Sequence, residues 1–218
     1  MSDNSKEVVV NVLERIQRAG VVVLLPGDIP WQRIVPIGDA LLAAPIQAVQ
    51  VLANSPHAVR VISDLRQRGG EHLLVGAGDV QTEAEVDALV DAGAQFVHSS
   101  RLTQALYRRC QAREVLYLPG VISLFAVQMA QELGCDIVQL TTGGPSGPDF
   151  VRVVRQAVPD VAVMVAGDVT AVNAAAYSLA GAVAVAVAEP IYTGSDQPMT
   201  DIITQARRLQ RAWEAGEP

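Results

Sequence analysis

The sequence predicts an eight-unit β/α barrel, a (β/α)8 TIM-barrel fold with a helix ahead of the first strand. Three observations carry that expectation. Short Val-rich runs alternate with helical patterns at a spacing of roughly 20–30 residues, the rhythm of repeated βα units. Hydrophobic residues make up 50% of the chain and aromatic ones only 4%, which leaves Val, Ala, Leu and Ile to fill strands buried on both faces. No linker interrupts the 218 residues, a length that α/β barrels fold as one unit, so residues 1–218 are expected to form a single domain.

The elements follow in order. A polar tail (Met1–Lys6) leads into a helix over Val8–Arg18 and a first strand, Val21–Leu25. A helix over Gln32–Ala43 precedes strand Ala48–Leu52, and a helix over His57–Gln67 ends at Gly69-Gly70, where a left-handed cap favours glycine. Strand His72–Ala77 leads to a helix over Glu83–Asp91. Thr82 caps that helix, Glu83 and Glu85 complement its positive end, and Gly93 follows it. Strand Phe96–Ser99, helix Leu102–Arg109, strand Val115–Leu118 and helix Leu124–Leu133 come next, the last followed by Gly134. Strand Asp136–Leu140, helix Asp149–Ala157, strand Val161–Val165, helix Ala171–Leu179, strand Ala182–Val187 and helix Ile202–Ala215 complete the series. Eight units in one compact chain favour a closed barrel, whose site is built from the loops after the strands.

Charge and composition narrow the partners. The net charge is −7, and the arginines, among them Arg60, Arg66, Arg68, Arg101, Arg108 and Arg109, are scattered. An acidic chain without a basic stripe argues against nucleic acid and anionic membranes. Cys110 and Cys135 fit neither a metal-ligand spacing nor a disulfide framework and read as reduced thiols. There is no signal-peptide pattern, and no apolar run of the ~18 residues that span a bilayer, so a soluble, cytoplasmic protein is expected.

Candidate site residues cluster at predicted strand ends. Ala77-Gly78-Asp79-Val80 recurs as Ala166-Gly167-Asp168-Val169 after the third and seventh strands. The repeat reads either as βα-turn chemistry or as two carboxylates facing one another across the mouth. With Asp28 after the first strand and Glu189 after the eighth, Asp79 and Asp168 could hold a divalent metal, since hard cations prefer oxygen ligands; otherwise no cofactor is expected. Gln50 and Gln139 each sit alone in an apolar strand. Alternation puts Gln50 with Ala48 and Leu52, and Gln139 with Ile137 and Thr141, so the two amides form either a hydrogen-bonded plug or a ligand-recognition pair. The stretch Thr141-Thr142-Gly143-Gly144-Pro145-Ser146-Gly147-Pro148 can cradle an anion at the start of the next helix. His98 and Ser99 are neighbours on a strand and point to opposite faces, which argues against a catalytic dyad. Arg101 can hold a carboxylate ligand or a neighbouring acid. His57 and His72 read as surface or strand-end residues, and the three histidines make no zinc motif.

Val75-Gly76-Ala77-Gly78, Asp91-Ala92-Gly93-Ala94-Gln95-Phe96, Leu118-Pro119-Gly120 and Glu132-Leu133-Gly134-Cys135 resemble, in order and spacing, the 2-keto-3-deoxy-6-phosphogluconate (KDPG) / 4-hydroxy-2-oxoglutarate (KHG) aldolases. The resemblance runs from about Val21 to Val187 and is most specific from Val75 to Gly134. It implies a (β/α)8 barrel, usually a homotrimer, of a family that splits or forms 2-oxo acids and pyruvate through a lysine Schiff base. By the same resemblance Gln139 stands at the Schiff-base lysine and Gln50 at the general acid/base glutamate. Asn54 stands at the arginine that holds substrate carboxylate or phosphate, Asp79 at a threonine and Ser100 at a proline. Gly167 is kept where the family binds phosphate, Asp168 replaces a second glycine, and Val187-Ala188-Glu189 stands for Gly-Gly-Ser.

A Schiff base needs a side-chain primary amine, which only lysine supplies. The sequence has one lysine, Lys6, ahead of the first strand. Three functions therefore stay open: a non-catalytic family member that binds a small 2-oxo acid or related carboxylate or serves as a structural or regulatory homotrimer, a metal-assisted lyase, and an aldolase working by another route.

Overall fold

The computed structural model describes residues 3–26, 29–54, 56–142, 147–189, 191–194 and 196–216. Helix α1 (Asp3–Ala19) precedes eight βα units: β1 (Val21–Leu25), α2 (Trp31–Ala43), β2 (Ala48–Leu52), α3 (Ala58–Gly69), β3 (Leu74–Gly78), α4 (Glu83–Asp91), β4 (Phe96–Ser99), α5 (Gln104–Ala112), β5 (Leu116–Val121), α6 (Leu124–Leu133), β6 (Ile137–Thr142), α7 (Gly147–Ala157), β7 (Ala162–Gly167), α8 (Ala174–Leu179), β8 (Ala184–Val187) and α9 (Met199–Glu214). The strands pair in parallel with their sequence neighbours, and β1 closes on β8 with Val22 opposite Ala186. The expected (β/α)8 barrel is therefore the fold.

Strand residues alternate between two cores. Outward-facing Val23, Val49, Val75, Val97, Val138, Val163 and Val185 join the apolar faces of the surrounding helices. Inward-facing Val22, Ala48, Leu74, Phe96, Leu116, Ile137, Ala162 and Ala184 form a second cluster with Val9, Val12 and Ile16 of α1. These strand residues lie at or near strand starts, so α1 closes the N-terminal end of the barrel. Lys6 is part of this helix and not of a polar tail. Once the apolar face of α1 is anchored, extending the helix by one residue adds a hydrogen bond at little further entropic cost, and the turn carrying Lys6 forms.

Several element ends moved. β3 begins at Leu74, because His72 is exposed and belongs to the turn before it. β5, β6 and β7 run two or three residues past the expected ends, to Val121, Thr142 and Gly167, since pairing with neighbouring strands carries polar and glycine residues that apolar patterning excludes. α4 has the expected start: Thr82 Oγ1 accepts from the Glu85 amide at 3.2 Å, and the Glu85 carboxylate accepts from the Thr82 amide at 3.0 Å, a full capping box. Gly134 caps α6 in the left-handed conformation. Among the described residues no helix is long and apolar enough to cross a membrane.

Candidate ligand site at the barrel mouth

The site begins with what β3 lacks. Its inward face reads Leu74, Gly76, Gly78, and the two glycines leave room that neighbouring strands fill. A Cβ at residue 76 would lie 2.2–2.4 Å from ring atoms of Phe96. A Cβ at residue 78 would lie 2.5 Å from Gln50 Nε2 and 2.8 Å from Gln50 Cγ. Phe96 from β4 thus packs over Gly76, and Gln50 from β2 packs one layer nearer the mouth, over Gly78.

Gln50 is fully buried, and neither its Nε2 nor its Oε1 has a hydrogen-bond partner among the described residues. Gln139, on the inward face of β6, is 5% exposed, and its Oε1 likewise has no partner. The two amides therefore do not bond to each other, and the plug reading of the pair does not hold in this geometry. An unsatisfied buried polar group costs about 1–3 kcal/mol.

His98 is the third polar residue of the interior, and sequence reasoning left it out of the site. It shares the inward face of β4 with Phe96 and is 7% exposed. Its Nδ1 accepts the Asp79 backbone N–H at 3.2 Å. Burial pushes its pKa down to about 4, against the opposing pull of the Asp79 carboxylate. The ring is therefore neutral at pH 7, and since Nδ1 is the acceptor, the proton sits on Nε2. The alternation that separates His98 from Ser99 already set His98 on the face of Phe96. What the sequence did not show was the turn it binds, where Asp79 takes φ = 56°.

Ser99 faces outward, as alternation requires. Its hydroxyl lies 2.6 Å from the Tyr117 hydroxyl and donates to the Arg101 carbonyl at 2.6 Å; Tyr117 donates to the same carbonyl at 3.1 Å. These bonds pin the loop after β4. Ser100 in that loop is exposed, and its carbonyl, with that of Ser99, lies 2.9 Å from where a Cβ on Gly120 would stand. The Arg101 side chain is exposed and makes no ion pair among the described residues.

The remaining candidates also follow or end strands, on the rim. Asn54 is exposed after β2, Asp79 half-buried after β3, Thr141 exposed near the end of β6, and Gly167 and Asp168 exposed at the end of β7. Glu189, after β8, is exposed and lines a depression of about 400 Å³ with Pro26, Pro30, Ala188, Tyr192 and Thr193. The two Ala-Gly-Asp-Val copies differ in backbone: the positive φ falls on Asp79 in the first and on Gly167 (φ = 123°) in the second, where the Asp168 carbonyl accepts from Asn173 Nδ2 at 2.7 Å. Among the described residues no three His, Cys, Asp or Glu side chains come together to hold a metal ion, so Asp79, Asp168 and Glu189 make no such group. Asp28 and Gly143, Gly144, Pro145 and Ser146 of the proposed anion cradle lie outside the described residues. His57 and His72 are exposed, as expected.

A closed (β/α)8 barrel with its polar groups gathered where the strands end is the architecture of barrel enzymes. The chain belongs to the KDPG and KHG aldolase family, whose model it matches over residues 12–204. It is 26% identical over 173 residues to the 2-dehydro-3-deoxy-6-phosphogalactonate aldolase of Escherichia coli (strain K12), covering 79% of this chain and 84% of that one. It is 31% identical over 145 residues to a 2-dehydro-3-deoxy-phosphogluconate aldolase of Pseudomonas aeruginosa, 66% of each chain. The fold matches a native KDPGal structure with TM-score 0.82 at 24% identity, over 89% of this chain and 94% of that one. It also matches a KDPG aldolase from Legionella pneumophila with pyruvate captured as a covalent carbinolamine, with TM-score 0.74 at 21% identity, over 93% and 97% of the two chains.

Proposed function

We propose that this protein binds a small 2-oxo acid or a related carboxylate at the barrel mouth and does not turn it over through a Schiff base. One observation carries the reading: the only lysine of the sequence lies on α1, the helix over the N-terminal end, whereas the position the family resemblance gives to the Schiff-base lysine is the buried amide of Gln139. A carbinolamine such as that of the Legionella enzyme needs an amine where this chain has an amide. Gln50, at the position of the acid/base glutamate, is an amide and does not act as a general acid or base at neutral pH. Arg101, exposed beside the mouth, supports a carboxylate ligand.

The test is borohydride reduction in the presence of pyruvate, read by intact mass and peptide mapping. No reduced adduct on a barrel residue is expected, while pyruvate binds reversibly in ligand-observed NMR. Pyruvate release from KDPG by pure, metal-free protein would overturn the reading. The metal-assisted lyase alternative gains no support from the described acids, which form no cluster.

The family resemblance also proposes a homotrimer. Ile122, Phe125 and Met129, three and four residues apart at and along α6, are 78%, 71% and 40% exposed, and an apolar face of this kind is what assembly covers. A cytoplasmic location is proposed on the free thiols of Cys110 and Cys135, both buried and both pushed up to about 12 by burial, which leaves them unreactive.

A further inference from the structure

The interior of the barrel offers hydrogen-bond donors and acceptors but, among the described residues, no charged side chain. Among the described residues the buried polar side chains are Gln50, His98, Ser99 and Gln139, with no Asp, Glu, Lys or Arg. Ser99 faces outward and is bonded there. Three groups remain on the inward face. Gln50 contributes an amide NH2 donor and a carbonyl acceptor, neither with a partner among the described residues, whichever way its amide is turned. Gln139 contributes an acceptor, Oε1. His98, whose Nδ1 is occupied by the Asp79 amide, contributes an Nε2–H donor. Gln50 and His98 converge on the same backbone turn, Gln50 against Gly78 and His98 on Asp79. Exposure rises from 0% at Gln50 to 5% at Gln139 and 7% at His98.

Resting on the reading that the mouth takes a carboxylate ligand, we infer that the end of the ligand entering the barrel is uncharged and carries a hydroxyl group, while its carboxylate stays at the rim with Arg101. Two physical arguments carry this. A carboxylate or phosphate drawn inside would lose its water and meet no buried cation among the described residues, the costly case for a buried ion. It would also offer only acceptors and leave the Gln50 and Gln139 amide oxygens unpaired, whereas a hydroxyl donates and accepts at once. The rim sorts the other end: Arg101 is free of ion pairs among the described residues, and the half-buried Asp79 and exposed Asp168 and Glu189 repel a second anion. The ligand class is a hydroxylated monocarboxylate without a phosphate at its inner end.

The experiment compares three probes on the full chain: glycerate (carboxylate and hydroxyls), propionate (carboxylate alone) and glycerol (hydroxyls alone). Dissociation constants and the side-chain amide signals of Gln50 and Gln139 are followed by NMR. Glycerate is expected to bind about tenfold more tightly than propionate, the worth of one buried hydrogen-bond pair, and to shift the Gln50 amide. In Gln50→Leu the preference should fall to about twofold or less. Equal binding of glycerate and propionate, a preference that survives in Gln50→Leu, or an unmoved Gln50 amide in the unsubstituted protein overturns the inference. If neither acid binds, the carboxylate reading falls and glycerol decides: a shift of the Gln50 amide and the His98 ring supports the neutral interior site, and no shift overturns that too.

Discussion

The side chain of Gln50 lies across Gly78, its Nε2 only 2.5 Å from where a Cβ at residue 78 would stand. This contact explains why a strand of the barrel carries a second inward glycine beside Gly76, and it predicts the outcome of adding one methyl group. Gly78→Ala must move the Gln50 amide, and overpacking of a filled interior costs about 1–3 kcal/mol. Gly76→Ala should cost more, because the atoms it meets belong to the fully buried ring of Phe96. Chemical denaturation of Gly78→Ala, Gln50→Ala and the double variant checks this: the coupling energy should show Gln50→Ala relieving part of the Gly78→Ala penalty, the rest coming from Leu52 Cδ2, 2.9 Å from the added Cβ.

The same amide predicts an unusual sign for another substitution. Most changes at a fully buried position destabilise, yet both polar atoms of Gln50 lack a hydrogen-bond partner among the described residues. Gln50→Leu keeps most of the volume and removes the unsatisfied groups, so it should raise stability by about 1–2 kcal/mol. A higher denaturation midpoint with an unchanged slope is the expected observation. A clear loss of stability would mean that this amide is fully hydrogen-bonded in solution.

His98 sets a pH dependence. Its folded pKa is depressed to about 4 from the ordinary 6.5, mainly by burial. The unfolded chain therefore binds the proton first, and stability falls with falling pH from about 6.5 down to about 4. A depression of this size corresponds to on the order of 3 kcal/mol. His98→Gln should flatten the stability profile in that window relative to the unsubstituted protein. Asp136, whose carboxyl burial holds above its usual value, contributes the opposite slope at the acid end and does so in both proteins. Urea titrations at half-unit pH steps separate the two profiles.

The fold was legible because barrel strands buried on both faces declare themselves as apolar runs. β1, β2 and β4 have the bounds read from the sequence, and α4 has the bounds implied by Thr82 with its acidic first turn at one end and Gly93 beyond the other. β5, β6 and β7 run longer than their apolar runs, since register, and not hydropathy, decides where Gly120, Thr141 and Gly167 pair. The site was legible only in part. Alternation put Gln50 and Gln139 inside the barrel, but it could not say that no hydrogen bond joins them, nor that Gln50 leans over Gly78. Strand alternation separates His98 from Ser99 and says nothing of what else the ring binds. Its role follows from a bond to the Asp79 amide in the next loop, and that bond needs the unusual backbone of Asp79.

The exposed apolar face of α6 gives a fourth prediction. Sedimentation of the purified chain should show a trimer at micromolar concentration, and Phe125→Glu with Met129→Glu should shift it to monomer with little change in far-UV circular dichroism. Phe125 and Met129 are 71% and 40% exposed, so a charge there should cost a folded monomer little. A monomeric unsubstituted chain would remove this role from α6.

The last prediction reverses the missing chemistry. Gln139→Lys places a primary amine on the inward face of β6, where the present side chain is 5% exposed and no buried cation or carboxylate lies among the described residues. Burial favours the neutral amine and lowers its pKa toward neutrality, the state that attacks a carbonyl. Introducing it should cost about 1–3 kcal/mol, a loss that Gln50→Glu does not restore. With pyruvate and borohydride, Gln139→Lys should gain a reduced adduct that peptide mapping assigns to residue 139, whereas the unsubstituted protein gains none in the barrel. Turnover should stay low in the single variant, because the Gln50 amide is no general acid or base, and rise in Gln50→Glu/Gln139→Lys. A folded Gln139→Lys that pyruvate never labels would show that residue 139 is not reached from the mouth, and with it would go the assignment of Gln139 to the ligand site.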